Sequence, residues 1–112
     1  MISSDALQYA SRFAALGHEV RVDIVRLLLA AHPGGLVVGQ LLEELEIPAS
    51  TLSHHLDALN REDLIIVERE GRFQRYRAGT EALQGILNFL YAECCSRQNV
   101  VSISLNRAES RA

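Results

Sequence analysis

The hydrophobic period of this chain switches from helical to strand spacing and back again, and that pattern limits what it can fold into. Through residue 60, apolar residues recur three and four apart, the spacing of helices with one buried face. From Leu64 to Arg77 the pattern becomes that of strands. Residues 5–16 place Leu7, Ala10, Phe13 and Ala14 near one helical face, with Ser4 as N-cap and Gly17 as the stop. Val20, Ile24, Leu27, Leu28 and Ala31 predict a central helix from Glu19 to Ala31, ended by His32-Pro33-Gly34-Gly35. Leu36 to Leu45 and Ala49 to Asn60 predict two short helices, the second capped by Ser50 or Thr51. Only Ile47-Pro48 and their neighbours separate them, the pattern of a helix-turn-helix.

Leu64–Glu70 and Phe73–Arg77, joined at Gly71-Arg72, predict a β-hairpin with outward arginines and with Phe73 fixing it to the core. A last helix is expected from Thr80 to Ser96, with Thr80 as cap and an apolar stripe through Leu83, Ile86, Leu87 and Leu90. The order defines a mainly α chain with a β-hairpin wing (α+β), a winged helix-turn-helix. At 112 residues it is one domain, expected over residues 1–97 with a tail at 98–112. Hydrophobic residues at 48% and charged residues at 22% exclude intrinsic disorder. No run of eighteen apolar residues is present, so no membrane span is expected. With no secretory signal pattern in MISSDALQYASRF, the expected location is the cytoplasm, where cysteines stay reduced.

The net charge of −3 argues against a generic nucleic-acid binder, but its distribution matters more. Residues 40–63 carry −5, whereas residues 64–80 carry +2 through Arg69, Arg72, Arg75 and Arg77. Every basic residue is arginine, whose planar fork of donors suits phosphates and base edges. A recognition helix presents its N-terminal residues to the major groove. Here those are Ser50, Thr51, Ser53 and His54, all able to hydrogen-bond base edges. His55 flanks the apolar face as a packing or phosphate-positioning residue. Gln40 is placed to reach a phosphate, and Arg72, Arg75 and Arg77 to supply phosphate or minor-groove contacts. The stripes of the first and last helices exceed what one small core can cover. Leu7, Phe13, Leu83, Ile86, Leu87 and Leu90 are therefore the expected interface of a homodimer.

The block ASTLSHHLDALNREDLIIVEREGRFQRYRAG, with FAALGHEVRVDIVRLLL before it, resembles the ArsR/SmtB family of metalloregulatory repressors. The resemblance covers about residues 7–95. It implies a homodimer on a palindromic operator, double-stranded DNA, that lets go when an inducer binds. NFLYAECC further resembles the arsenic-responsive members with a Cys-Cys pair ending the last helix, which implies Cys94 and Cys95 as ligands for trivalent arsenic, As(III). Adjacent thiolates are soft donors suited to such an ion. Three features depart from family members. The Cys-x-Cys site before the recognition helix and the Asp/His/Glu site of the last helix are both missing, and no third Cys follows Cys95. A hydroxide, a small thiol or a partner's Cys is left to complete the set, or a methylated arsenical that needs only two thiolates. Other thiophilic metals, redox sensing and a protein-interaction role remain open alternatives. Enzymatic motifs are absent.

Overall fold

The computed structural model describes residues 3–97. Five helices, α1 (Ser4–Leu16), α2 (Glu19–Ala30), α3 (Val38–Leu45), α4 (Ala49–Arg61) and α5 (Thr80–Tyr91), surround strands β1 (Leu36–Val37), β2 (Ile65–Glu70) and β3 (Phe73–Ala78). The strands form one antiparallel sheet of order β1-β3-β2. This is the winged helix-turn-helix expected from the period change. The expected tail at 98–112 lies outside the described residues.

The core gathers the stripes. Ile24 and Leu28 of α2, Leu41 of α3, and Leu52, Leu56 and Leu59 of α4 are buried together with Leu64, Ile65, Ala78 and Ile86. A buried Leu or Ile contributes about 1.5–3 kcal/mol relative to exposure, so these contacts dominate the fold. Glu46 adopts a left-handed conformation (φ 54°) at the end of α3, and Pro48 precedes α4. Those two residues make the tight turn that packs α3 and α4 against one core.

Several boundaries differ from the expectation, each for a local reason. Leu36-Val37 is a strand and not the first turn of α3, because it pairs with Tyr76 and Arg75 of β3. Sheet hydrogen bonds there override helical spacing. Ser3, not Ser4, caps α1, its hydroxyl accepting from the Ala6 N–H at 3.0 Å. Pro48 and Gly79 occupy the N-cap positions of α4 and α5, so Ser50, Thr51 and Thr80 are helical residues and not caps. Ala31, not His32, closes α2. α5 ends at Tyr91, and residues 92–97 form turns with Cys94 N–H to Tyr91 C=O and Ser96 N–H to Glu93 C=O bonds. Beyond Tyr91 the chain has no apolar stripe left to hold a helix against the core. Phe73 is 59% exposed at the wing tip and does not fix the hairpin.

Gly79 sits where β3 passes into α5. An added Cβ there would run into the Asp63 carbonyl oxygen and press on Leu64. Gly39, in the first turn of α3, has nothing within 4 Å of that position. Gly79→Ala is expected to lower the unfolding free energy in urea by about 1–3 kcal/mol. Gly39→Ala should leave it unchanged or raise it by about 0.5–1 kcal/mol.

Candidate nucleic-acid interface

α4 divides into two faces. Leu52, His55, Leu56 and Leu59 point inward at spacings of three and one, while Ser50, Thr51, Ser53 and His54 are exposed near the N-terminal end. None of these four makes a side-chain hydrogen bond with another described residue, so their donors and acceptors face solvent. His55 is only 5% exposed. It belongs to the packing and not to a phosphate-contacting surface, because it occupies an inward position of the α4 stripe. Its Nδ1 accepts a hydrogen bond from Arg21 Nε at 3.0 Å. Such a bond requires an unprotonated Nδ1. His18 caps α2, its Nδ1 accepting from the Val20 N–H at 3.2 Å, and its ring lies 4.5 Å from that of His55.

The wing arginines have different roles. Arg75 donates to Glu70 and to the carbonyls of Gly34 and Gly35, and Arg77 donates to the Pro33 carbonyl and pairs with Glu68. Both thereby tie β3 to the loop that leads into β1. The donors in these bonds are directed at the protein and not at the phosphate or minor-groove contacts expected of Arg75 and Arg77. Arg72 at the turn and Arg69 on β2 are exposed and make no ion pair with a described residue. With Phe73, Gln74, Val37, Val38 and Gly39 they line a groove of about 510 Å³ beside the start of α3. Gln40 accepts from the Val37 N–H at 2.9 Å and so caps α3, leaving its amide nitrogen for other contacts.

The acids of residues 43–57 are spread over α3, the turn and α4. Glu43 and Glu44 line a groove against α2 that also holds Leu27 and Ala30. Asp57 is near Tyr76, whose hydroxyl is held above its ordinary range first by burial and then by that carboxylate.

On the side of α1 and α5, Leu7 (66%), Leu87 (55%) and Leu90 (59%) are exposed, with Phe13 and Tyr91. Ile86 is not available to a partner because it is buried in the core of its own chain, and Leu83 packs against the same core. Phe89, off the expected stripe, stacks on Tyr9 at 4.4 Å and joins α5 to α1. Just beyond α5, the Cys94 and Cys95 sulfurs lie 3.3 Å apart, and Cys95 has φ 64°. Sequence spacing signalled His55 as inward. It carried no signal for Arg69 over Arg75, because ion pairing depends on which strand face meets the 33–35 loop.

The geometry is that of a winged-helix regulator, and comparison with known proteins agrees. A family described as "Helix-turn-helix domain" matches residues 16–68. The HTH-type transcriptional regulator YbzH of Bacillus subtilis is 33% identical over 72% of this chain and 93% of its own length. The transcriptional repressor SdpR of the same organism is 31% identical over 70% of this chain and 83% of its own. An ArsR-like transcriptional regulator from Rhodococcus sp. RHA1 superposes with a TM-score of 0.76 at 26% identity, covering 98% of both chains. The chain belongs to the ArsR family of helix-turn-helix transcriptional regulators, a non-enzymatic family. No helix among the described residues is long and apolar enough to cross a membrane.

Burial, followed by the charges of His18, Arg21 and His54, pushes the His55 imidazole below its ordinary value of 6.5. The unfolded chain therefore takes up a proton first as the pH falls. The stability that His55 contributes is complete above pH 6.5 and is lost as the pH drops from there through the folded-state value. In urea titrations between pH 7.5 and 5, the midpoint of the wild type is expected to fall toward that of His55→Asn. A constant gap between the two would contradict the neutral assignment.

Proposed function

We propose that this protein is a homodimeric repressor that binds operator DNA and is released when trivalent arsenic joins Cys94 and Cys95. The observation that carries the DNA-binding part is the solvent-facing set Ser50, Thr51, Ser53 and His54 on α4, with Arg69 and Arg72 exposed on the wing. Short polar groups at the start of a helix read base edges in the major groove. Arginines on the wing neutralise phosphates, and with Gln40 they fix the register. Repression is the role named for the similar SdpR.

Two copies would present two such helices to a palindromic site. The exposed residues Leu7, Phe13, Leu87, Leu90 and Tyr91 favour a second copy of the chain over α1 and α5, since the largest apolar residues there are otherwise in water. Leu87→Glu with Leu90→Glu is expected to shift the protein from dimer to monomer in sedimentation velocity. A dimer that persists would move the interface elsewhere.

The thiol pair fits a soft ion. Thiolate bonds of about 2.3 Å, the length found for zinc, would span roughly 3.3 Å if they met near a right angle. The observed sulfur separation is 3.3 Å. The chain has no third cysteine, and no group of three or more His, Cys, Asp or Glu among the described residues is arranged for a metal. A hydroxide, a small thiol, a partner's residue or a methyl group on the arsenic would supply the remaining donor. As(III) bound there supplies covalent cross-linking of two neighbouring sulfurs. Cys94 and Cys95 hold it at the end of the helix that carries Leu87 and Leu90, so ligation would bias the arrangement of two copies. A bias of about 1–3 kcal/mol changes operator affinity 5–150-fold.

Fluorescence anisotropy on the DNA upstream of its own gene tests the proposal. Arsenite, and not zinc, is expected to release the reduced protein. Cys94→Ser with Cys95→Ser should bind DNA as tightly as the wild type and ignore arsenite. Tight binding that arsenite leaves unchanged in the wild type would refute the arsenic site and keep the repressor.

A further inference from the structure

Arg21 occupies a position that neither α4 nor the wing explains. It starts on α2, one turn after the His18 cap, and is partly buried. Its Nε donates to His55 Nδ1 at 3.0 Å, and one terminal nitrogen donates to the Ala15 carbonyl at 3.3 Å. Ala15 lies in the last turn of α1, where helical carbonyls lack internal partners. A single guanidinium thus joins the end of α1 to the middle of α4. His55 is the one polar residue among the buried residues of the core, so its acceptor has no water to fall back on.

We propose that Arg21 is a positioning residue that sets α4 relative to α1, and that a proton on His55 Nδ1 releases this link. The proposal rests on α4 being the DNA-reading helix only for its consequence, not for the link itself. In the neutral ring, Nε2 carries the hydrogen and Nδ1 offers a lone pair to Arg21. A proton taken from solvent occupies that lone pair. The Arg21 Nε–H then loses its acceptor and faces a second positive charge at hydrogen-bond distance. The groups facing His55 are all basic or neutral: His18 from the start of α2, Arg21 from α2 and His54 beside it on α4. α1 contributes the Ala15 carbonyl through Arg21. Among the described residues no carboxylate pairs with His55 or Arg21 to offset the added charge. The relaxed arrangement turns α4 away from α1 and α2 while the leucine stripe keeps it in the fold. Because α1 carries part of the exposed apolar face, the same link connects that face to Ser50, Thr51, Ser53 and His54, one to five positions before His55.

Residual dipolar couplings on the DNA-free protein test the link directly, since they report the orientation of α4 against α2 in the folded chain. Nitrogen shifts of the His55 ring are followed in the same samples as the pH is lowered from 7.5 until the ring has titrated. The wild type is expected to change its α4 couplings with the midpoint of His55. His55→Asn, which keeps an acceptor where Nδ1 stood but does not titrate, should hold the pH 7.5 orientation throughout. Arg21→Met should show the relaxed orientation at pH 7.5. If Arg21→Met does not fold, the wild type and His55→Asn decide alone. Couplings that stay constant while the His55 ring titrates would overturn the proposal, as would equal changes in His55→Asn. For the consequence, the DNA measurement is made in a His54→Gln background, so that His55 is the one imidazole of α4 that remains. In that background, affinity for upstream DNA is expected to fall about tenfold as the pH drops from 7.5 through the titration of the His55 ring, with binding to random-sequence DNA falling less. Adding His55→Asn should abolish the fall. Failure of every variant to bind upstream DNA at any pH would remove the DNA-binding reading, and the couplings would still decide the link.

Discussion

Everything in this structure depends on how α4 is seated on α2. Ile24 and Leu28 meet Leu52, Leu56 and Leu59 in a fully buried seam, and each large side chain contributes about 1.5–3 kcal/mol by leaving water. Helical period does the rest. Once that stripe is buried, Ser50, Thr51, Ser53 and His54 have no direction left but outward. The polar face is thus a consequence of the apolar one. His55 is the exception within the seam. It forgoes part of the hydrophobic gain and is held instead by a hydrogen bond from Arg21. That substitution makes the seating of α4 sensitive to chemistry in a way a leucine would not be.

The wing shows how one residue type is used in two ways. Arg75 and Arg77 are on the same face of β3, turned toward the carbonyls of residues 33–35, where each satisfies acceptors that a short loop leaves open. Their partners Glu70 and Glu68 add ion pairs that are individually modest, about 0.2–1 kcal/mol at such exposure. Arg69 and Arg72 have neither carbonyl nor carboxylate within reach and keep their charge available beside the start of α3. The net charge of +2 in this segment is therefore concentrated on Arg69 and Arg72, since Arg75 and Arg77 are offset by Glu70 and Glu68.

The opposite end of the molecule poses a different physical problem. Leu7, Leu87, Leu90 and Tyr91 remain in water although Ile86, on the same helix, is buried. α5 is therefore apolar on two faces, one used within the chain and one left exposed. The thiols of Cys94 and Cys95 follow directly after this helix, in turns and not in helix. Their placement outside regular structure brings adjacent sulfurs to 3.3 Å, whereas successive side chains on a helix diverge by about 100°.

Legibility follows the range of the interactions. The helices, the tight turn at Ile47-Pro48, the hairpin and the inward leucines were readable because spacing along the chain encodes them locally. So were the outward Ser50, Thr51, Ser53 and His54, and the thiol pair. What the tertiary structure alone decided was the fate of groups whose partners are distant in sequence. Leu36-Val37 became a strand through Tyr76 and Arg75, and Ile86 was claimed by its own chain's core. Arg75 and Arg77 were claimed by a loop some forty residues away, leaving Arg69 and Arg72 exposed. Arg21 found His55 across thirty-four positions. Periodicity fixes which face of an element is buried, because that depends on neighbours three or four residues away. It cannot fix which charged group meets which acceptor, because that depends on where the packed elements bring the chain back together.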